Sequence, residues 1–374
     1  MSDALTIVQV AGRLGIGGVE THVSALARGL LQRGHRVVLI AQDSGAYGEE
    51  AQAAGAELLI VPFNRNGLQE AITRLGSQDI DLIHSHNYRA TRFGAPLARA
   101  LSRPYVMTVH GPRPWWKRAF FRDWSDTVLT VSVADRDNIV GPLGLSADRI
   151  VVGFLGIDTD RFKPGLDATS LRAEWSVPDD SPLILNVTRF THRKARPALA
   201  LIEALPIVRQ RLPGVRLVLV GEGDEVDRIS GQADRLNRSH GEQVVVVAGP
   251  RTDIPVVMNA GDAVVATATT AIESLACGTP TIAYGRTGYF GTVTPANFEE
   301  ARAVCFADHG NLPFDPTPEE LADDLIALLV DPAASRRVAE EVRSVIAEKY
   351  SVEDMVEQIE SVYKQLLIRA RPAR

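Results

Sequence analysis

Two consecutive α/β domains, each a doubly wound parallel sheet, are predicted by three features of this sequence. Short runs of Val, Ile and Leu recur between amphipathic segments, the pattern of buried parallel strands joined by crossover helices. The rhythm stops in a polar, Pro-containing stretch and restarts at Leu183. A chain of 374 residues, 45% of them hydrophobic, also suffices for two cores of ordinary size.

In the first half, strands are expected near Leu5–Val10, Val37–Ala41, Glu57–Pro62, Asp81–Ser85, Tyr105–Val109 and Thr127–Val131. After the first of them, Val19, Val23, Leu26, Ala27 and Leu30 fall on one helical face, and Arg33-Gly34-His35 ends that helix. The stretch GIDTDRFKPGLDATSLRAEWSVPDDSP separates the halves, with a hinge placed near Lys163–Ser181. Beyond it, LILNVT, VRLVLVG, QVVVVAG, AVVATA and PTIAY read as strands with helices between them. From Pro318 the Ala, Leu and Val periodicity predicts two or three closing helices and a frayed basic tail, Arg369 to Arg374. The expected domains are residues 1–165 and 166–350, with 351–374 a helix and tail placed to pack back on the first domain.

A formal charge of -6 gives no general attraction to nucleic acid, whose phosphates need clustered Lys and Arg. Cys277 and Cys305 have no paired spacing, so neither zinc nor a disulfide framework is expected and a reducing, cytoplasmic setting fits. No charged segment followed by a long apolar stretch opens the sequence, and no run of about 18 apolar residues occurs. His84 and His86 share a face of one strand, yet local spacing offers no third ligand for a metal.

Several segments combine residue types suited to an anionic, hydroxyl-rich ligand. In GRLGIGGVETH, Gly15, Gly17 and Gly18 lie between a strand and its helix, where backbone N–H groups and the helix dipole favour anions; a tight βα turn would use the same glycines. Arg189 and Lys194 emerge at the carboxyl end of the LILNVT strand, where two cations suit a diphosphate; a solvated basic helix start is the alternative. In TTAIESLACGTPTIAY, Glu273 is placed on the first turn of a helix, where a carboxylate suits two ribose hydroxyls or merely the helix dipole. The segment HGPRPWWKRAFFRDW interleaves Trp115 and Trp116 with Lys117 and Arg118, suited to a membrane interface, a lipid-linked acceptor or a helix with a basic face.

Together GIGGVETHVSALARGLLQRGH, TVHG, LGIDTDRF, the Arg189 to Lys194 spacing, VLVGEGD and ESLACGTPTIA resemble the retaining glycosyltransferases of family 4, which have the GT-B fold, over nearly the whole chain. The resemblance implies two Rossmann-like domains facing a central cleft. It implies a nucleoside-diphosphate sugar as donor, a sugar or lipid-linked hydroxyl acceptor, no metal or other cofactor, and a monomer or homodimer with peripheral membrane contact. By the same resemblance Gly17 and Gly18 line the cleft, His110 faces the donor sugar, Arg189 and Lys194 hold the diphosphate, Glu273 binds the ribose, and Glu222 joins the donor side. Two departures stand out. Where the family has a first glutamate this chain has Val265, so Thr269 and Thr270 are expected to hold the sugar through their amides, and Leu155 replaces the usual Asn before Gly156-Ile157-Asp158.

Overall fold

Parallel pairing organises both halves of the chain. The computed structural model describes residues 4–15, 17–111, 125–141, 143–153, 155–312 and 315–370. Two compact units result, one formed by Met1–Gly156 with Tyr350–Arg374, the other by Ile157–Lys349.

The first unit alternates strand and helix: β1 (Thr6–Val10), α1 (Gly18–Gln32), β2 (Arg36–Ala41), α2 (Gly45–Ala53), β3 (Glu57–Ile60), α3 (Arg65–Leu75), β4 (Leu82–His86), α4 (Asn87–Leu101), β5 (Tyr105–Val109), β6 (Thr127–Thr130), α5 (Val133–Val140) and β7 (Ile150–Val152). The strands lie in the order β3-β2-β1-β4-β5-β6-β7 and every pairing is parallel. Every residue of β4, β5 and β6 is buried, as a sheet covered on both faces by its crossover helices demands. β7, a three-residue strand, was not among the expected ones, because IVV is too short to stand out as an apolar run.

The second unit opens with α6 (Thr169–Glu174) and continues through β8 (Leu183–Val187), α7 (Arg196–Arg211), β9 (Arg216–Val220), α8 (Val226–His240), β10 (Val245–Gly249), α9 (Ile254–Ala260), β11 (Ala263–Ala266), α10 (Ala268–Ala276) and β12 (Thr281–Gly285). β13 (Gly288–Thr292), α11 (Phe298–Ala303), α12 (Pro318–Val330) and α13 (Pro332–Lys349) complete it. The sheet order is β10-β9-β8-β11-β12-β13. Only its last pairing is antiparallel: β13, which was not among the expected strands, folds back on β12 as a hairpin.

The last helix, α14 (Val352–Ala370), belongs to the first unit. Its buried Met355, Val356, Ile359 and Tyr363 pack with Leu26, Ala27 and Leu30 of α1. Burying each large apolar side chain contributes about 1.5–3 kcal/mol. Gly29 makes the approach possible, since a Cβ there would overlap Val356 Cγ2. At the end of this seam Glu360 takes a 2.6 Å bond from Arg33 Nε and lies 2.5 Å from Lys364 Nζ. Burial would raise that carboxyl, but the Lys364 and Arg33 contacts outweigh it and hold it below the usual range.

Candidate functional site

Open α/β sheets place ligands at the carboxyl ends of their strands, where the strand order reverses direction. In the first sheet that point lies between β1 and β4, and in the second between β8 and β11.

At the first, the loop after β1 is tied down by Leu14 N donating to Asp43 Oδ1 (3.0 Å) and by Tyr47 N donating to the Leu14 carbonyl (3.1 Å). Gly17 caps α1 and its carbonyl accepts from Thr21 N and Thr21 Oγ1, while Gly18, the first helical residue, is exposed. The loop thereby aims α1 so that His22, one turn in, meets His86 at the end of β4 and His110 just after β5. Ring centroids are 4.8 Å apart for His22 and His110, and 5.6 Å for His22 and His86. His86 Nδ1 lies 3.4 Å from His110 Nε2. Behind them His84 is fully buried, bonded through Nδ1 to the Tyr363 hydroxyl (2.6 Å) and through Nε2 to Thr108 Oγ1 (2.7 Å), so α14 fixes the orientation of this wall.

Burial lowers the imidazole pKa of His22 to about 4 and that of His84 to about 3, the latter helped by His22. His86 is depressed by burial and then by His84, His22 and His110. These rings are neutral at pH 7. Both nitrogens of His22 and Nε2 of His86 have no hydrogen-bond partner among the described residues. One nitrogen each of His22, His86 and His110 lie within 4.8 Å of one another, a convergence hidden from sequence because the third ring arrives through the topology. Tetrahedral zinc at about 2.0–2.1 Å from each nitrogen holds them about 3.4 Å apart, so this arrangement is looser than a closed zinc cage.

At the second point, β8 leads into a loop that runs beside the β9 loop: Thr188 N donates to the Val220 carbonyl and Phe190 N to the Glu222 carbonyl (2.7 Å). Gly221 and Gly223 permit this, for a Cβ at either would overlap the Thr188 or Phe190 carbonyl. Glu222 therefore contributes its backbone here, and its side chain is exposed. Arg189 is exposed, whereas Lys194, in the 3-10 turn His192–Ala195, is partly buried and lies 3.8 Å from Asp308 Oδ1. Burial is the main cause that lowers the Lys194 amine; Asp308 opposes it, and Arg189 and Arg286 add to it.

On the other side of the reversal, α10 begins at Ala268, which places Thr269 and Thr270 in its first turn and Glu273 in the second. This corrects the expectation of Glu273 on the first turn and removes helix-dipole placement as its explanation. Burial pushes the Glu273 carboxyl up to about 8, with Arg161 acting in the opposite direction. A carboxyl of this kind is poised for hydroxyl partners. The structure thus gathers Arg189, Lys194, Thr269, Thr270 and Glu273 around one strand-order reversal, and Gly17, Gly18 and His110 around the other. Trp115, Trp116, Lys117 and Arg118 lie outside the described residues.

Missed by the sequence reading were His22 and Asp308, neither of which carries a local signal; Arg286, directly after an apolar strand, was legible as a residue of the donor side, but not its contact with Asp308. Among the described residues no helix is long and apolar enough to cross a membrane.

Known proteins bear on this geometry. Residues 16–161 match the family description Glycosyltransferase Family 4 and residues 167–345 match Glycosyl transferases group 1. A GDP-mannose-dependent alpha-(1-6)-phosphatidylinositol monomannoside mannosyltransferase of Mycolicibacterium smegmatis is 29% identical, over 73% of this chain and 78% of the relative. An uncharacterized glycosyltransferase of Methanocaldococcus jannaschii is 23% identical over 93% and 94%. Among solved structures, a glycosyltransferase from Rickettsia africae superposes with a TM-score of 0.80 at 20% identity, covering 98% of this chain and 99% of that one. Anabaena HepE in complex with UDP-glucose gives 0.78 at 20% identity, covering 96% and 100%. Two parallel-sheet α/β units of GT-B type and matches to both halves lead to one conclusion: this chain is a glycosyltransferase and belongs to family 4.

Proposed function

We propose that this enzyme transfers a hexose, with retention of anomeric configuration and without a metal, from a nucleoside-diphosphate sugar to a hydroxyl of a glycan or lipid-linked acceptor. The observation that carries this reading is the pair Arg189 and Lys194 at the carboxyl end of β8, where the strand order reverses and α10 begins. Lys194 is partly buried, and its ammonium is disfavoured there. A diphosphate would stabilise the ammonium, and more so as the sugar departs and negative charge accumulates on the leaving oxygen. Such differential stabilisation lowers the barrier rather than merely tightening binding.

Glu273, held largely protonated by burial, is assigned the ribose hydroxyls, and Thr269 and Thr270 at the start of α10 the donor's sugar side. His110 serves the transferred sugar as a hydrogen-bonding group beside His86, and retention follows from front-face attack with the departing phosphate taking the acceptor proton. A GDP-mannose-dependent relative and a UDP-glucose-bound fold neighbour make GDP-mannose and UDP-glucose the first donors to try. The phosphatidylinositol acceptor named for that relative, and the aromatic and basic sequence at residues 115–118, support an acceptor presented at the cytoplasmic face of a membrane.

The test is nucleotide release from UDP-, GDP- and ADP-sugars with and without candidate acceptors, followed by the anomeric configuration of the product by NMR. An inverted product refutes retention. Release independent of every acceptor refutes transfer in favour of donor hydrolysis, and undiminished turnover in excess chelator is required by the metal-free step.

A further inference from the structure

We infer that Arg286 is a third cation of the diphosphate site and that Asp308 is the residue that positions it together with Lys194. The inference rests on the nucleotide-sugar reading and extends it to residues outside the family's Arg–Lys pair.

Arg286 occupies the turn of the β12–β13 hairpin. Its Nε donates to the Asp308 carbonyl at 3.0 Å and lies 3.3 Å from Asp308 Oδ1, while Lys194 Nζ is 3.8 Å from the same oxygen. In the sheet, β11 separates β8 from β12. Lys194 and Arg286 therefore reach Asp308 from the two flanks of the β11 end, where α10 starts. Among the described residues the buried Oδ1 has no hydrogen bond and faces these two cations, and Oδ2 lies 3.6 Å from His309 Nε2. Burial lowers His309 to about 4, leaving it neutral at pH 7. Arg189 and Arg286 both act on Lys194, so three basic side chains meet here, and Asp308 is the carboxylate among the described residues that Lys194 and Arg286 share. The diphosphate of a nucleotide sugar carries about two negative charges, and the departing nucleotide gains another.

The backbone is bent to make this arrangement. Cys305, Phe306 and Ala307 have φ of 49°, 48° and 68°, three successive non-glycine residues in the left-handed region. Such conformations are strained for residues that carry a Cβ and concentrate at functional sites. The bend is stitched to both sides of the β11 end: the Phe306 carbonyl accepts from Thr267 Oγ1 (2.8 Å) and Ala268 N (3.3 Å), and Thr287 Oγ1 donates to the Ala307 carbonyl (2.8 Å). Gly285 passes so close to Thr267 and Ala307 that a Cβ would overlap both. What the strain secures is the position of the next residue, Asp308.

Calorimetric titration with UDP, GDP and ADP tests the proposal. For whichever nucleotide the wild type binds, Arg286→Gln is expected to weaken binding about 10- to 100-fold, the range of a lost charge-assisted hydrogen bond. Asp308→Asn supplies the readout that a merely structural role would not move. The titratable groups acting on Lys194 are Asp308 and Cys305 from the bend, Arg286 from the hairpin and Arg189 from its own loop, and Asp308 foremost supports the ammonium. Without Asp308, the loss of nucleotide affinity with rising pH should set in at a lower pH than in the wild type. Unchanged affinity in Arg286→Gln, or the same onset of that loss for Asp308→Asn and wild type, overturns the inference while Arg189→Ala still reports on the nucleotide site. Failure of the wild type to bind any of the three nucleotides defeats the underlying reading instead. If Arg286→Gln melts below the assay temperature, Arg286→Lys carries the test: about threefold weakening is expected from the lost fork, and no change overturns the proposal.

Discussion

Replacing Glu273 with Gln should make the second unit more stable at alkaline pH and leave it nearly unchanged at acid pH. The carboxyl is raised from about 4.5 to about 8, chiefly by burial. Between those values the native state binds more protons than the unfolded chain, so stability falls as pH rises through the window and is level on either side of it. The full shift corresponds to a ceiling of roughly 5 kcal/mol at about 1.4 kcal/mol per unit. Glu273 is only partly shielded from solvent, so about 2 kcal/mol is the working figure. For a unit the size of Ile157–Lys349 this amounts to a shift of about 4–8 °C in Tm. Gln keeps the shape and the hydrogen-bonding edge but cannot ionise. Melting curves of wild type and Glu273→Gln at pH 5 and pH 8.5 should therefore diverge only at the higher pH, with the variant melting later. A Tm difference that is the same at both pH values would refute the idea that a buried, reluctantly ionised carboxyl sits at this position. The same variant should bind the nucleotide more weakly, because ribose hydroxyls donating to Glu273 would favour its ionised form, and an amide accepts them less strongly than that carboxylate.

Three further outcomes are expected. Arg189→Ala and Lys194→Ala should each lower turnover by about 10²–10³-fold, the usual cost of removing one group aimed at developing charge, while shifting Tm by no more than a few degrees; steady-state kinetics with the working donor checks this. Tyr363→Phe removes the hydroxyl bonded to the fully buried His84 Nδ1 and should cost about 1–3 kcal/mol in urea denaturation of the first unit. Gly29→Ala drives a methyl group into Val356 and should cost about 1–3 kcal/mol, most of which Val356→Ala restores; additive losses in the double variant would refute direct contact as the cause.

Strands of five or six apolar residues are legible because each carries its own signal, and Tyr105–Val109 and Leu183–Val187 fall where the sequence puts them. The elements that escaped lack such a signal: β7 has three residues, and β13 reads GYFGT, with two glycines that weaken a strand pattern. The start of α10 was misplaced because its entry depends on a distant partner, the Phe306 carbonyl that accepts from Ala268 N, and Ala268 itself takes a φ of 52°. The left-handed bend at Cys305, Phe306 and Ala307 had no glycine to announce it. Candidate site residues were legible where one strand end presents them, as with Arg189, Lys194 and His110. Their partners were not, because Asp308 meets Lys194, Tyr363 meets His84 and His22 meets His110 only after sheet order has brought remote segments together.

The electrostatics of the second unit distinguish a binding site from a structural ion pair. Lys194 and Glu273 stand on either side of one strand-order reversal, and burial disfavours the charged form of each. Had the fold used them for stability alone, pairing them would relieve both penalties. Instead the base faces Asp308, shared with Arg286, and among the described residues Arg161 is what favours ionisation of the acid against its burial. Each is thus left wanting a different partner, an anion for the ammonium and hydroxyl donors for the carboxyl. A nucleoside diphosphate carries both on one molecule, with the ribose a short covalent distance from the phosphates. Under the proposed function, a bound nucleoside diphosphate would return the free energy withheld from folding at these two positions, and stability would rise with the logarithm of free ligand concentration above Kd.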